Sequence, residues 1–173
     1  MPEMIPVIDD EGITTGSASR DEIHVKGLKH RGASVVIFNR EGKILLQKRS
    51  KNKQICPLFW DMSVGEHLRA NESYEEAIKR GMKEELGISG IVVKELRGPH
   101  AVNIKYPDGL VDNELASLFI GKWNNGINIF DGEVEEAGFF PISEIQRLKE
   151  QGKLTPWFLA ELDWLIENGI IKF

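Results

Sequence analysis

The order of elements along the chain predicts an α/β fold, an α/β/α sandwich around a mixed β-sheet. Three observations carry the prediction. Runs rich in β-branched and aromatic residues fill the middle of the chain, a sharply capped helix interrupts them, and two further helices close the C-terminal end. With 173 residues, 41% of them hydrophobic, residues 1–173 are read as one domain with a sizeable core.

Residues 1–29 form a polar, weakly periodic extension. Within it "VIDDEGITTGSASRDEIH" holds a short strand and a turn, the outline of a hairpin. Ala33–Asn39 and Lys43–Arg49 are two strand-forming runs joined by "REG", which reads as a second hairpin. The stretch from Ser50 to His67 reads as a loop turning at Pro57, with Phe59 and Trp60 as packing or pocket-wall aromatics. The first clear helix follows. Ser73 and Glu76 have the spacing of a capping box, and Gly87 supplies a left-handed stop. "IVVKEL" and "NELASLFIGKW" are strands separated by a turn at Tyr106–Gly109, and "EEAGFFP" is another. A second helix is expected from a capping box of Ser143 and Gln146, with its stop at Gly152. A third starts at Thr155 with Pro156 in its first position and ends at Asn168–Gly169, its core face made by Trp157, Phe158, Leu162 and Leu165.

Composition excludes several classes. A formal net charge of −5 argues against non-specific binding to nucleic acid or to an anionic membrane surface. No apolar run approaches the roughly 20 residues of a membrane-spanning helix. The opening "MPEMIPVIDDEG" lacks the basic-then-apolar order of a secretory leader. The single cysteine, Cys56, excludes an internal disulfide, and the expected compartment is the cytoplasm.

The chemistry is concentrated in "GEHLRANESYEEAIKRGMKEELGI", residues 65–88. At 100° per residue from Glu76, Ile78, Met82 and Leu86 fall at about 200°, 240° and 280°, the buried stripe. Glu84 falls at about 80° and Glu85 at about 180°, with Gly81 between them at about 140°. Glu85 therefore adjoins the apolar stripe, where a carboxylate is costly unless hydrogen bonds or a cation satisfy it. A hard divalent ion such as Mg²⁺ would do so. Acids at a helix C-terminus also oppose the helix dipole by about 0.3–1 kcal/mol, which disfavours reading them as an ordinary solvated end. Gly81 costs about 1 kcal/mol relative to Ala in a helix interior, so it reflects either neutral drift or room made for something else.

This segment resembles the box of the Nudix superfamily, whose pattern is G-x5-E-x7-R-E-U-x-E-E-x-G-U with U aliphatic. Gly87 and Ile88 take the last Gly-U, Glu84 and Glu85 the paired acids, Met82 the preceding U, Arg80 the Arg and Glu72 the first Glu. Two positions depart. Glu66 stands where the first Gly belongs, with Gly65 one step earlier, and Gly81 stands where the second Glu belongs. The likeness covers roughly residues 24–165 and implies the Nudix fold. It further implies an Mg²⁺-dependent hydrolase, Mn²⁺ being an alternative ion, acting on a small-molecule diphosphate substrate. The ion would be held by Glu84 and Glu85 with Glu66, and Arg80 and Glu72 would orient the carboxylates from behind. Glu85 and Glu114 are the catalytic candidates, Glu114 being the better substitute for the missing base and Glu66 the next.

Within that superfamily, "MSVGEHLRANES" resembles the layout of the isopentenyl-diphosphate isomerases and the hydrolases related to them. That likeness implies a second metal site from His24, His30, His67, Asp112 and Glu114, although the interval from His24 to His30 is one residue short of the isomerase spacing. Asp112 and Glu114 alternate along a strand and so share a face. With Lys26, Lys29 and Arg31 nearby, His24 and His30 read equally as phosphate contacts or as a solvated basic lead-in. The isomerase thiol would fall on Gly65, and Cys56 is nine residues away. Moving protons at an alkene carbon needs a placed acid and base, so a hydrolase is the favoured expectation. An isomerase-like enzyme and a non-catalytic diphosphate-binding module are the alternatives. An edge strand in the N-terminal extension would allow a homodimer.

Overall fold

The computed structural model describes residues 3–130 and 132–172. Among them, nine strands and four helices follow one another as β1 (Met4–Ile8), β2 (Thr14–Ser19), α1 (Arg20–Lys26), β3 (His30–Phe38), β4 (Ile44–Arg49), β5 (Trp60–Asp61), β6 (Val64–His67), α2 (Tyr74–Leu86), β7 (Val93–Lys105), β8 (Val111–Lys122), β9 (Val134–Phe140), α3 (Ile142–Glu150) and α4 (Pro156–Glu167).

The sheet is organised around β3. It runs parallel to β8 in unbroken register from His30↔Glu114 to Phe38↔Lys122, and antiparallel to β1, β4 and β6. β7 extends the sheet antiparallel to β8, and β9 lies antiparallel to β4. One parallel ladder among antiparallel ones makes the sheet mixed, as expected. Alternation along β3 decides what each face buries. Val35 and Ile37 meet Ile78, Met82 and Leu86 of α2 on one side. Val36, with Ile44 and Leu46 of β4, meets Ile145 of α3 and Phe158, Leu162 and Leu165 of α4 on the other. The α/β/α layering follows from these two cores.

The caps of two helices form as the sequence predicts. Ser73 accepts from the backbone N–H of Glu76, whose carboxylate returns to Ser73, and Gly87 closes α2 at φ 65°. Thr155 accepts from Phe158 N at the start of α4, with Pro156 first in the helix.

The hairpin outlined in the extension forms as β1 and β2. Other expectations are corrected. Helix α1 follows that hairpin, with its own capping box between Ser19 and Glu22. The stretch read as a loop contains β5 and β6, short strands held because β6 pairs with β3 and β5 with β4. The Ser143 capping box does not form. Pro141, at φ −66°, takes the cap position, and its carbonyl accepts from Glu144 N and Ile145 N, so α3 starts at Ile142 with Ser143 already inside it. β7 runs on to Lys105 through "GPH" because bulges at Glu95/Arg97 and Arg97/His100 absorb the irregularity.

Candidate metal and diphosphate pocket

A cavity of about 590 Å³ opens where β6 and β8 flank β3, bounded by α1, the C-terminal half of α2 and the start of α4. It brings together almost all of the residues singled out from the sequence.

Two imidazoles, His24 and His67, and two carboxylates, Asp112 and Glu114, line this cavity, with the fully buried His30 beside them. Register puts them there: His30 on β3 is opposite Glu114 on β8, and Gly32 is opposite His67 on β6. His24, Asp112, His30 and His67 each turn one donor atom to within 4.8 Å of the others. Glu114 Oε1 lies 3.4 Å from His30 Nε2 and 3.3 Å from His67 Nε2. Both His24 and His30 give their Nδ1–H to main-chain carbonyls, Arg20 O at 2.8 Å and Leu28 O at 2.9 Å. That fixes the rings and directs each Nε2 towards Asp112, at 4.0 and 3.6 Å. His30 Nε2 and Asp112 Oδ1 are buried and make no hydrogen bond. A basic nitrogen facing a carboxylate oxygen needs a cation between them, a proton or a metal ion, and imidazoles held from behind by carbonyls are how proteins present metal ligands. The donor set fits a divalent ion.

The electrostatics agree. Burial lowers the His67 imidazole to about 4, keeping it neutral. Burial works to raise the Glu114 carboxyl, but the attraction of His30 and His67 prevails and holds it well below the ordinary range. Asp112, buried beside that charge, is raised to about 7. Gly32 makes the arrangement possible. A Cβ there would stand 2.6 Å from Glu114 Cδ and 2.8 Å from its Oε1.

The acids of the 65–88 segment are placed differently from one another. Arg80 donates from Nε and Nη2 to Glu72 (2.8 and 3.0 Å), from Nη1 to Glu66 Oε2 (2.8 Å) and from Nη2 to His67 O (2.9 Å). It thus ties Glu72 and Glu66 to each other and to the backbone of β6. Glu84 is half-exposed and lies 3.7 Å from Arg80 and 3.6 Å from Arg69. Glu85 is buried and accepts from Gln47 Nε2 at 2.8 Å. Glu66, Glu84 and Glu85 all line the cavity. Burial raises the Glu66 carboxyl to about 7 against the pull of Arg80.

Gly81 is explained by Glu66. A Cβ at residue 81 would lie 2.5 Å from Glu66 Cγ and Oε1, and 2.7 Å from Val64 Cγ1. Gly65, by contrast, lines the cavity with nothing within 4 Å of where its Cβ would be.

Several pocket residues were not legible in advance. Trp157 packs against the core as expected but is only partly buried and also lines the cavity, its indole N–H given to Asp61, while Phe158 beside it is fully buried. Tyr106 presents a buried hydroxyl beside Asp112 and its ring edge to Trp157 at 6.4 Å. Arg20, Arg49, Lys53 and Arg69 supply positive charge around the opening. Gln47 had a signal in the sequence, as a lone amide following the apolar "ILL" of a strand run.

Comparison with known proteins gives the same frame. Residues 28–158 match the NUDIX domain. The isopentenyl-diphosphate Delta-isomerase of Serratia proteamaculans is 30% identical over 182 residues, covering 100% of this chain and 97% of that protein. A Nudix hydrolase of Pseudomonas aeruginosa, PA4841, is 34% identical over 93 residues, covering 54% of this chain and 55% of that protein. Among solved structures, DR0079 of Deinococcus radiodurans has a TM-score of 0.73 at 18% identity, covering 92% of this chain and 96% of that one. The NUDIX domain of Shewanella oneidensis NrtR, solved with ADP ribose, has a TM-score of 0.62 at 15% identity, covering 81% of this chain and 88% of that one. Among the described residues no helix is long and apolar enough to cross a membrane. The mixed sheet between helices, the capped acidic helix and the matched domain agree with one another, and the chain belongs to the Nudix family.

Proposed function

We propose that this chain is a divalent-metal-dependent hydrolase that cleaves a diphosphate bond in a nucleoside diphosphate derivative or a related small molecule. The observation that carries the reading is the meeting of three things in one cavity: the His24–His30–His67–Asp112–Glu114 group, the box carboxylates and a basic rim. A bound Mg²⁺ or Mn²⁺ would neutralise diphosphate charge and polarise phosphorus. His24, His30, His67, Asp112 and Glu114 would hold one ion, and Glu85 with Glu84 and Glu66 would hold another on the opposite wall. Arg20, Arg49 and Lys53 bind and orient the diphosphate oxygens. Gln47 keeps the Glu85 carboxylate in place to accept a proton from the attacking water, with Glu114 as the second carboxylate for that task. Water attacks phosphorus, the bond to the bridging oxygen breaks, and the leaving phosphate takes a proton from solvent.

The experiment is a hydrolysis screen, read by separating the products on an anion-exchange column, over nucleoside di- and triphosphates, dinucleotide polyphosphates, nucleotide sugars and isopentenyl diphosphate, with Mg²⁺ and with Mn²⁺. The expected result is turnover of at least one class that is lost in Glu85→Gln and in His30→Asn. A panel with no hydrolysis by well-folded protein sinks the hydrolase reading.

One observation favours a second reading, an isopentenyl-diphosphate isomerase-like enzyme. The full-length similarity to proteins of that name extends over the helix and strands that carry the three-histidine group. Gly65 weighs against it, since no thiol stands at that position. Proton NMR of isopentenyl diphosphate in D₂O separates the two readings, because isomerisation shifts the double bond and incorporates deuterium without releasing phosphate.

A further inference from the structure

Asp61, on the two-residue strand β5, is a buried carboxylate that neither the box nor the histidine group uses. Its partners are specific. Oδ1 accepts from Met62 N (2.8 Å), Thr155 Oγ1 (3.0 Å) and Trp157 Nε1 (2.8 Å), and Oδ2 accepts from Trp157 Nε1 (2.9 Å) and Arg49 Nη1 (3.4 Å). Arg49 is also held on two other sides. Its Nε donates to Ile55 O at 3.1 Å, and its guanidinium lies over the Trp157 ring at 4.9 Å. Tyr106 meets the same indole with its edge. Asp61, Arg49, Trp157 and Tyr106 all line the cavity.

A buried carboxylate is costly unless it is fully paired, so a core joint between β5 and α4 would be made more cheaply by neutral groups. Here the charge is directed at two side chains that form the cavity wall. The Nη2 edge of Arg49 has no protein acceptor among the described residues, which leaves it for an anion in the pocket. Stacking on the indole and the bond to Asp61 hold the guanidinium fork in one orientation, so little side-chain entropy is lost when it binds phosphate oxygens.

We infer that Asp61 is a positioning residue that locks Arg49 and Trp157 into one clamp against the diphosphate of the substrate. The inference rests on the reading of this cavity as a diphosphate site and names the part of the wall that sets its geometry. Asp61 acts through Arg49, to which it is hydrogen-bonded at 3.4 Å.

The test is calorimetric binding of inorganic pyrophosphate to the full chain, alongside Mn²⁺ binding as a control. The proteins compared are wild type, Arg49→Ala, Asp61→Asn and the double variant. Asn keeps the size and one acceptor oxygen but removes the charge. Asp61→Asn is expected to weaken pyrophosphate by about tenfold. It should leave Mn²⁺ affinity within twofold, and it should change pyrophosphate affinity by less than about twofold once Arg49 is Ala. Should Asp61→Asn not fold, Trp157→Phe removes the indole N–H together with the five-membered ring that carries it, and its loss of pyrophosphate affinity must likewise vanish in the Arg49→Ala background. Equal pyrophosphate affinity in wild type and Asp61→Asn overturns the inference. So does a loss that persists in full without Arg49, since that marks a purely structural role. A wild type that binds no pyrophosphate overturns the diphosphate reading itself, and this inference with it, a result distinct from binding that ignores Asp61.

Discussion

Replacing Gly81 with Ala gives opposite outcomes under the two explanations of that residue. In a solvent-facing helix interior, Gly→Ala stabilises by about 1 kcal/mol through helix propensity. At this position the added methyl lies 2.5 Å from Glu66 Cγ and Oε1 and 2.7 Å from the buried Val64 Cγ1, well inside van der Waals contact. Overpacking of that kind costs about 1–3 kcal/mol. The Glu66 side chain can retreat only by leaving Arg80 Nη1, a 2.8 Å ion pair in which both partners are largely buried, and that adds a loss of about 1–3 kcal/mol. Against the gain of about 1 kcal/mol, the net expectation is destabilisation by about 1–5 kcal/mol, a fall in Tm of roughly 2–20 °C for a domain of this size. Urea denaturation followed by circular dichroism at constant m-value measures it. Shortening Glu66 to Ala in the same protein removes the colliding atoms, and Glu66→Ala/Gly81→Ala is expected to recover at least half of the loss. If Gly81→Ala alone proves more stable than wild type, Gly81 is neutral drift and the steric argument is wrong.

Other changes follow from the same pocket. Gly32→Ala drives a methyl into the Glu114 carboxylate and is expected to weaken Mn²⁺ binding at least tenfold, measured by calorimetry, while Glu85→Gln leaves that histidine-site binding within about threefold. Ion binding at the histidine group requires Asp112 ionised and His30 Nε2 unprotonated, and both groups have raised pKa values, Asp112 to about 7. Protons therefore compete below about pH 7, so Mn²⁺ affinity should climb about tenfold or more per pH unit from 5 to 7 and level off above about 8. Affinity that is flat or falls across that range would refute the ligand assignment. Gly65→Cys meets open space and should change stability by less than about 0.5 kcal/mol while hydrolysis persists; isomerisation of isopentenyl diphosphate by that variant would instead favour the isomerase reading.

What the sequence revealed of this molecule was what local patterns encode. The α2 helix was legible to the residue because its cap, buried stripe and stop all lie between Ser73 and Gly87, and the alternation of Asp112 and Glu114 placed both on one face. β5 and β6 were not legible. They are two and four residues long and exist because β4 and β3 pair with them, a long-range fact. Ser143 showed a capping-box spacing, but the proline two residues earlier sets the backbone and claims the cap. Trp157 follows the apolar spacing of α4 and packs against its core, but its second role at the cavity was not legible, because it depends on a buried partner from β5 that holds the indole N–H. The group formed by the three histidines with Asp112 and Glu114 needed the family likeness. Its members come from α1, β3, β6 and β8, and no spacing rule reaches from His24 to Glu114.

The two departures from the box pattern are one event in three dimensions. The pattern puts Gly at position 66 and Glu at position 81, and this chain has Glu at 66 and Gly at 81. A Glu at 81 would project from α2 into the space that Glu66 fills from β6, so the two side chains exclude each other. Glu66 also keeps the Arg80 contact that holds β6 to the helix. The carboxylate count of this wall is therefore unchanged while its direction of approach is reversed. The exchange predicts that neither position tolerates reversion alone. Gly81→Glu would force two carboxylates into one desolvated space, and Glu66→Gly would leave Arg80 with Glu72 and the His67 carbonyl but without its charged partner on the strand. Only the paired reversion keeps both the volume and the charge. A combinatorial library allowing Glu or Gly at each of these two positions, scored for folded protein and for hydrolysis, tests the point. The wild-type pair and the double variant Glu66→Gly/Gly81→Glu should be recovered together, and either single variant depleted. Free recovery of Gly81→Glu on its own would show that the space is shared more loosely than this geometry requires.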